Sequence, residues 1–304
     1  MIKVNILWKF NTVGGGGNQF LRTLRRYFID MGYYVEDPYK ADVILVNSKD
    51  CLVEASVVKG VAKNKIVHRI DGIFSLYRGE HERFNDTNVY NFAKTYADGV
   101  IFQSEWSKMA SEKNGMAHHP IQTIIFNCAD NRYFSRKSDR DENSKIKLIT
   151  SSWSNNVKKG FGIYEYLDNN LDFNKFDYSF AGRSPIQFKN IKMEGILSSE
   201  ELFNVLKTSD IFVTATEDDT CSNSLIEGLT CGLPAVVLNS GGSPEIVKGM
   251  GGGVVFESKV DVLEKINEVA DNLDSYIKRI EPPSLNDIGG RYYDFMKQVC
   301  DGEN

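Results

Sequence analysis

Residues 211–238 read IFVTATEDDTCSNSLIEGLTCGLPAVVL, and this stretch decides the fold. An apolar strand at 211–214 is followed by a polar loop, a helix at 223–231 and a second apolar strand at 235–238. Ser222 or Asn223 can cap the helix, and Gly232 and Pro234 suit its end. The pattern predicts a strand–helix–strand unit whose helix begins directly after the carboxyl end of a parallel strand.

The start of this helix favours an anionic ligand, because ligands of open α/β sheets bind at that strand edge. Backbone N–H groups there lack intrahelical partners and carry about half a positive charge, which suits a diphosphate without a metal ion. Asn223 and Ser224 add side-chain donors. Glu227 lies four residues after Asn223 on the same helix face, where its carboxylate can accept hydrogen bonds from two ribose hydroxyls.

Both halves of the chain repeat the strand–helix alternation. Strands rich in Val and Ile are predicted at 4–8, 43–47, 66–70, 100–103 and 123–126, and then at 147–151, 178–181 and 253–256. Residues 135–145 are polar and charged, as in a linker. We predict two Rossmann-like, doubly wound parallel-sheet domains facing a cleft, at 1–140 and 145–283, with a helix at 284–304 expected to cross back to the first.

Composition excludes several classes of protein. The net charge of −5 over 304 residues disfavours nucleic acid as a partner. Five cysteines without a C-x-x-C pair predict neither a disulfide framework nor a zinc site, and indicate reduced thiols in a cytoplasmic protein. No signal-peptide pattern and no apolar run of about 18 residues is present, so any membrane contact is expected to be peripheral, at the inner face.

The acidic residues of the opening stretch resemble a family motif. Asp219 and Glu227 flank seven residues, like the Glu-x(7)-Glu motif of retaining GT-B glycosyltransferases, especially glycosyltransferase family 4 (the group 1 glycosyltransferases). The runs EGLTCGLP at 227–234 and GGSPEIV at 241–247 resemble further family segments. The resemblance implies that Asp219 contacts the donor sugar and Glu227 the ribose. Asp219 is shorter than the usual Glu, so its sugar contact is expected to differ or to pass through water.

A second segment, SSWSNNVKKG at 151–160, resembles the family's Gly-Arg-x(4)-Lys-Gly, in which both cations bind the donor diphosphate. Lys159 matches the lysine, whereas Ser154 occupies the arginine position. Arg183, at the end of the next strand, is a candidate for the missing charge; a solvated surface role is the alternative for both cations. The segment at Ile196 resembles the one whose backbone meets the base. The expected donor site comprises Ser154, Lys159, Arg183, Ile196, Asp219, Ser222, Asn223, Ser224 and Glu227.

The first domain offers a glycine-rich loop and a polar strand end. Many GT-B enzymes have a similar loop facing the cleft, which here includes Gly15, Gly16, Gly17 and Asn18. Family members often carry a histidine at the end of the strand that here reads HRIDG at 68–72. That position falls on Asp71, with His68 three residues earlier, so the role of the family histidine stays open between them. Asp71 either contacts a substrate or forms a structural pair with Arg69. The expected catalytic residues are Lys159, Asp219 and Asp71.

The helix at 18–30 carries Arg22, Arg25 and Arg26, largely away from its apolar side. Some family members touch anionic membranes through such a helix. A solvated basic face is the alternative and is favoured on general grounds.

Together these features predict an enzyme that moves a sugar from a nucleoside-diphosphate sugar, with UDP or GDP, to a hydroxyl acceptor such as a glycan or lipid-linked glycan. The resemblance implies retention of configuration, and no metal or other cofactor is expected. A non-catalytic nucleotide-sugar-binding protein, a sugar-nucleotide epimerase and a protein scaffold are the alternatives.

Overall fold

The computed structural model describes residues 1–10, 16–135 and 144–302. The chain divides into two compact units: Met1–Asn127 with Ser284–Asn304, and Cys128–Pro283. The elements of the first stretch are β1 (Val4–Leu7), α1 (Gly16–Asp30), β2 (Val43–Asn47), α2 (Leu52–Ala62), β3 (Lys65–Ile70), α3 (Phe74–Arg78), α4 (Arg83–Tyr96), β4 (Gly99–Phe102), α5 (Glu105–Lys113) and β5 (Gln122–Ile124).

The second unit alternates strands and helices in the same way. Its elements are β6 (Ile146–Ser152), α6 (Phe161–Asn170), β7 (Phe176–Gly182), β8 (Lys192–Gly195), α7 (Ser199–Leu206), β9 (Ile211–Thr214), α8 (Asn223–Thr230), β10 (Ala235–Leu238), α9 (Ser243–Met250), β11 (Gly253–Phe256), α10 (Val262–Asp271) and α11 (Leu273–Arg279). The last helix, α12 (Leu285–Asp301), returns to the first unit.

The sheet of the first unit is parallel, in the order β1-β2-β3-β4-β5. Val4 also forms an isolated parallel bridge with Tyr34, which must lie on the side of β1 that β2 leaves open. The connection through α1 therefore runs opposite to the connection through α2. Because such crossovers are right-handed, the two helices cover opposite faces of the sheet, which makes the unit doubly wound.

Glycines allow α12 to pack closely on the first unit. A Cβ at Gly289 would stand 2.4 Å from the Tyr27 ring of α1, and a Cβ at Gly99 would stand 2.7 Å from Val299. Tyr292 of α12 is fully buried and its ring centroid lies 5.7 Å from that of Phe20. This helix thus completes the core of the first unit.

The sheet of the second unit is also parallel, in the order β11-β10-β9-β6-β7-β8. From β6 the chain moves outward to β7 and β8, and it then starts again beside β6 with β9 and moves outward on the other side. The switch in strand order therefore falls between β6 and β9. Loops leaving the carboxyl ends of two such strands diverge and open a crevice, which is where α/β sheets bind ligands.

These two parallel-sheet α/β units confirm the fold class predicted from the sequence. Two local expectations were wrong. The strand β8 was missed because its sequence, KMEG, is mostly polar and partly exposed at the sheet edge. The sequence of 260–280 predicts a single helix, but the structure interrupts it at Asn272, whose backbone leaves the helical conformation between α10 and α11. Across the described ranges, no helix is both long and apolar enough to cross a membrane, and none of the five cysteines, all of which lie in those ranges, forms a disulfide.

Candidate functional site

The candidate site lies at the carboxyl ends of β6 and β9 in the second unit. The segment after β6 carries Ser154 and Lys159, and the segment after β9 carries Asp219 and leads into α8. Both segments leave the sheet at its topological switch. Most of the donor-site residues predicted for this unit therefore fall on the two segments that the topology brings to one crevice.

Backbone hydrogen bonds hold the loop after β9 in place. The Glu217 N–H donates to the Lys158 carbonyl at 2.7 Å, and the Gly242 N–H donates to the Asp219 carbonyl at 2.8 Å. The Asp218 N–H donates to the Ser240 hydroxyl at 3.0 Å. These bonds hold Asp218 at a φ of +55°, in the left-handed region that non-glycine residues seldom adopt. Segments after β6 and β10 thus fix the backbone that carries Asp219.

Two lysines bring positive charge to this loop. The Lys159 ammonium lies 3.3 Å from a carboxylate oxygen of Asp219, and both side chains are largely buried. The Lys158 ammonium contacts Asp218 at 2.8 Å and Glu217 at 3.1 Å. The hydrogen bond that Lys158 donates to Asp218 raises the pKa of Lys158. Lys159 thus lies beside the residue that the resemblance places at the donor sugar.

Gly160 allows the loop after β6 to lie against β9. Its φ is +78°, and a Cβ there would stand 2.2 Å from the Ala215 carbonyl oxygen. Gly160→Ala is therefore expected to lower the free energy of unfolding by about 2–4 kcal/mol, because both the backbone strain and the clash are unavoidable. Gly162→Ala is the control, since Gly162 lies in α6 with no atom within 4 Å of the position that a Cβ would take. Urea denaturation of both variants measures the difference, and equal midpoints would contradict the assignment.

The start of α8 has the expected capping geometry. The Ser222 hydroxyl accepts a hydrogen bond from the Leu225 N–H at 3.4 Å and lies 3.2 Å from the Ser224 hydroxyl. Asn223 and Ser224 occupy the first turn and are partly exposed. Because the first N–H groups of a helix have no intrahelical carbonyl partners, a helix start at this edge suits an anion.

Glu227 lies one turn further along α8 in an unusual environment for a carboxyl group. Burial raises its pKa from the ordinary 4.5 to about 8, while the residue as a whole keeps partial exposure. Within the described part of the chain, its carboxyl group makes no hydrogen bond or ion pair. A desolvated carboxyl group without a protein partner is a common feature of binding sites.

The remaining donor-site candidates lie on neighbouring strand ends. The Ser154 hydroxyl accepts a hydrogen bond from the Asn156 N–H at 3.1 Å, so it shapes its own loop. The Arg183 guanidinium lies over the Trp153 ring, 5.0 Å from its centroid, and the side chain is exposed. β6 pairs with β7, and Ser152 lies opposite Gly182. Ser154, which follows β6, and Arg183, which follows β7, are therefore at neighbouring strand ends. Ile196 is 53% exposed after Gly195, which has a φ of +74°.

In the first unit, Asp71 belongs to a polar cluster at the end of β3. One of its carboxylate oxygens lies 3.3 Å from Arg69, and it also accepts hydrogen bonds from Asn47 at 3.2 Å and Gln103 at 2.8 Å. A Cβ at Gly17 would stand 2.8 Å from the Asp71 carboxylate, so the glycine segment approaches this cluster. The Arg69 pair considered from the sequence is thus present. Asp71 nevertheless keeps 31% of its side chain exposed.

His68 lies in the core of the first unit and not at the polar cluster that contains Asp71. It is fully buried, its Nε2 lies 2.7 Å from the Ser48 carbonyl, and burial lowers its pKa to about 4. It is therefore a neutral core residue. Asn18 is buried at the start of α1 and accepts a hydrogen bond from the Trp8 indole. Gly15 lies outside the described residues, while Gly16 is the first residue of α1.

The basic face of α1 is partly neutralised. Arg25 pairs with Glu36, and its guanidinium lies 4.9 Å from the Phe10 ring centroid and 5.0 Å from that of Tyr34. Arg25 is therefore engaged within the first unit, which favours the structural interpretation of this face for that residue.

Lys158 and Trp153 were not predicted from the sequence as residues of the site. Both stand in the quoted segment 151–160, and a lysine pair before a glycine was visible. Only the structure shows that Lys158 pairs with the loop after β9 while Lys159 lies beside Asp219. The described residues contain no group of three or more His, Cys, Asp or Glu side chains that could hold a metal ion.

Two parallel α/β units define a Rossmann-like class of fold, and the second unit places a helix start and a desolvated carboxyl group at its topological switch. Residues 188–281 match the sequence model of the family described as "Glycosyl transferases group 1". The resemblance stated from the sequence is thus confirmed over this part of the second unit.

Solved structures resemble the chain along its whole length. Anabaena Alr3699/HepE in complex with UDP-glucose is 14% identical, with a TM-score of 0.74 over 99% of each chain. A glycosyltransferase from Rickettsia africae ESF-5 is 14% identical, with a TM-score of 0.72 over 97% of each chain. The lipopolysaccharide outer core galactosyltransferase WaaB is 11% identical, with a TM-score of 0.68 over 100% of each chain. At these identities the likeness establishes the fold, which is the GT-B fold.

A sequence relative is also found in a virus. Uncharacterized protein 356 of Sulfolobus islandicus rod-shaped virus 1 is 23% identical over 231 residues, which are 62% of this chain and 64% of that protein. The chain thus spans somewhat less than two thirds of this curated relative.

Proposed function

We propose that the protein transfers a sugar from a nucleoside-diphosphate sugar to a hydroxyl group of a glycan or lipid-linked glycan, with retention and without a metal ion. The observation that carries the proposal is the carboxyl group of Glu227, which is desolvated and makes no hydrogen bond within the described residues, one turn after the start of α8. UDP is the proposed nucleotide, because the similar Anabaena structure contains UDP-glucose.

In this proposal the α8 start and Lys159 stabilise the leaving group. The bond between the anomeric carbon and the diphosphate oxygen breaks, and that carbon bonds to the acceptor oxygen. The acceptor proton leaves with the nucleoside diphosphate. Negative charge grows on the diphosphate, and fixed N–H groups and an ammonium beside it lower the barrier. Asp219 orients the sugar and holds Lys159 until the diphosphate arrives.

The test is the consumption of a panel of UDP- and GDP-sugars with release of the nucleotide. Lys159→Ala is expected to lower kcat about 100- to 1000-fold, the usual effect of removing one group that stabilises a developing negative charge. Lys189→Ala is the control, because Lys189 is exposed and its side chain makes no ion pair in the described part of the chain. If wild type consumes none of the donors, or if Lys159→Ala keeps full activity, the proposal is wrong.

Arg183 is proposed to supply the cation that Ser154 does not. Its guanidinium makes no ion pair with the described residues, and Trp153 stacks against it next to the Ser154 loop. Arg183→Ala is expected to weaken UDP binding about tenfold, the effect of one charge-assisted contact. Arg279→Ala is a matched control, since Arg279 is another exposed arginine over a ring, 4.4 Å from the Tyr276 centroid. Calorimetric titration with UDP measures both, and equal affinities would exclude Arg183.

A non-catalytic nucleotide-sugar-binding protein is the second candidate. The replacement of the expected arginine by Ser154, whose hydroxyl is used within its own loop, favours it. UDP binding without consumption of any donor, with or without added oligosaccharide, would establish this candidate.

A further inference from the structure

A groove runs between the start of α2 and one face of α4 in the first unit. Its cavity volume is about 1000 Å³, at the upper end of the range for small-molecule sites. Asn88, Asn91 and Thr95 line it from α4 with helical spacing, and Trp8 and Asp50 line it from the loops after β1 and β2. We call it the α2–α4 groove. None of its lining residues has a role in the family resemblance.

Several polar side chains of the groove have no hydrogen-bond partner among the described residues. Asn88, Asn91 and Thr95 make no side-chain hydrogen bond with any described residue, and the Asp50 carboxylate makes neither a hydrogen bond nor an ion pair there. Amide and carboxylate groups in such an arrangement can donate to and accept from hydroxyl groups. Partial burial also raises the pKa of the Asp50 carboxyl group, while the residue as a whole stays exposed to the groove.

Aromatic side chains complete the lining. Trp8 is partly buried, and its indole N–H donates to Asn18 at 3.0 Å, so the ring is held in one orientation. Phe92 and Tyr96 also line the groove, with ring centroids 5.3 Å apart. Apolar ring surfaces beside amides suit a ligand that has both C–H faces and hydroxyl groups.

The charges of the groove select among ligands. Lys9 and Lys49 balance Asp50 and Glu54, so the lining has no excess positive charge for a phosphorylated or acidic ligand. The Lys49 ammonium is moreover engaged over the Phe74 ring, 4.8 Å from its centroid. A neutral polyhydroxyl compound fits this lining better than an anion or an acyl chain.

We infer that the α2–α4 groove binds a neutral oligosaccharide, the part of the acceptor remote from the reacting hydroxyl. That the bound glycan is the acceptor rests on the proposed function. That the groove binds a neutral glycan rests on the lining of the groove alone. Trp8 provides the ring surface, and Asp50, Asn88 and Asn91 provide the hydrogen bonds. Trp8 also connects the groove to the start of α1 through Asn18.

The experiment is an array of neutral, sulfated and phosphorylated oligosaccharides probed with the full chain, followed by titration of the strongest neutral compound. Asp50→Asn and Asn91→Ala are each expected to weaken that compound about tenfold. Thr87→Ala should leave its affinity unchanged, because Thr87 lies on α4 outside the groove and donates to the Arg83 carbonyl. Donor consumption in the presence of the same compound should show a raised acceptor KM in the first two variants only.

UDP binding by the same preparation separates the two proposals. If UDP raises the melting temperature but no neutral oligosaccharide binds, the groove inference falls and the proposed function stands. If oligosaccharides bind and no nucleotide does, the proposed function falls. Binding confined to sulfated or phosphorylated glycans, or equal affinities in wild type and both groove variants, would overturn the assignment of the groove to a neutral glycan.

Discussion

Glu227→Gln is expected to make the protein more stable at pH 8.5 and weaker in UDP binding. Below pH 4.5 the carboxyl group is protonated in both the folded and unfolded chain, so its contribution to stability is fully present. Between pH 4.5 and about 8 the unfolded chain releases the proton while the folded chain retains it, and stability falls. Above pH 8 the loss is complete.

The raised pKa of Glu227 sets an upper limit of about 5 kcal/mol for this loss of stability, at about 1.4 kcal/mol per pKa unit. Partial exposure of Glu227 lets water reach the carboxyl group, so we expect about 2 kcal/mol, or a melting temperature about 5 °C higher in the variant at pH 8.5. The difference should vanish near pH 4.5. Glu264→Gln is the control, because Glu264 is exposed on α10. A stability difference that does not depend on pH would contradict the desolvation of Glu227.

At pH 8.5, where the Glu227 carboxyl group is largely ionised, the same variant should bind UDP about 10- to 100-fold more weakly, since hydrogen bonds to a charged acceptor each contribute about 1.5–3 kcal/mol. Calorimetric titration measures this loss, and unchanged affinity would remove the ribose role proposed for Glu227. A gain in stability together with a loss of binding is the result expected of a residue retained for function.

Arg69→Met is expected to lower the free energy of unfolding by about 3–5 kcal/mol, because it leaves a buried polar cluster without its cation. The fully buried guanidinium donates to Asn47 at 2.5 Å, Asn127 at 2.7 Å and the Tyr292 hydroxyl at 3.1 Å. Tyr292 lies on α12, so the loss should also loosen that helix. Urea denaturation measures the first effect and limited proteolysis at 285–301 the second.

Arg291→Ala is the control for this prediction. Arg291 also lies on α12 and donates to the Ile124 carbonyl at 2.7 Å, but its side chain is exposed. Its removal should change stability by no more than about 1 kcal/mol. Equal effects of the two substitutions would show that burial of the Arg69 cluster does not matter.

The local features of the second unit were predictable because they depend on neighbours in sequence. Ser222 caps α8, and Gly232 has a φ of +83° after the end of that helix, as the spacing in the opening stretch predicted. Backbone conformation near a helix end is decided by a few adjacent residues. The roles assigned to the site residues stay predictions, which the experiments above are designed to test.

The first unit was less predictable because long-range contacts decide its polar residues. HRIDG at 68–72 left the role of the family histidine open between His68 and Asp71, since the residues of a strand alternate between faces but the sequence does not say which face is covered. The packing of Phe92 on His68, with ring centroids 5.1 Å apart, makes His68 a core residue. Asp71 instead meets the glycine segment, which lies far earlier in the chain.

The sequence by itself determined the two parallel α/β units, the helix start after β9 and the positions of Asp219 and Glu227, because hydrophobic periodicity and capping act over a few residues. Only the tertiary structure decided that Lys159 lies beside Asp219 while Lys158 holds the loop, that Arg183 stacks on Trp153, and that Glu227 is desolvated. Ion pairs, stacking and burial depend on which segments the sheet order brings together, and that order arises from packing of the whole unit.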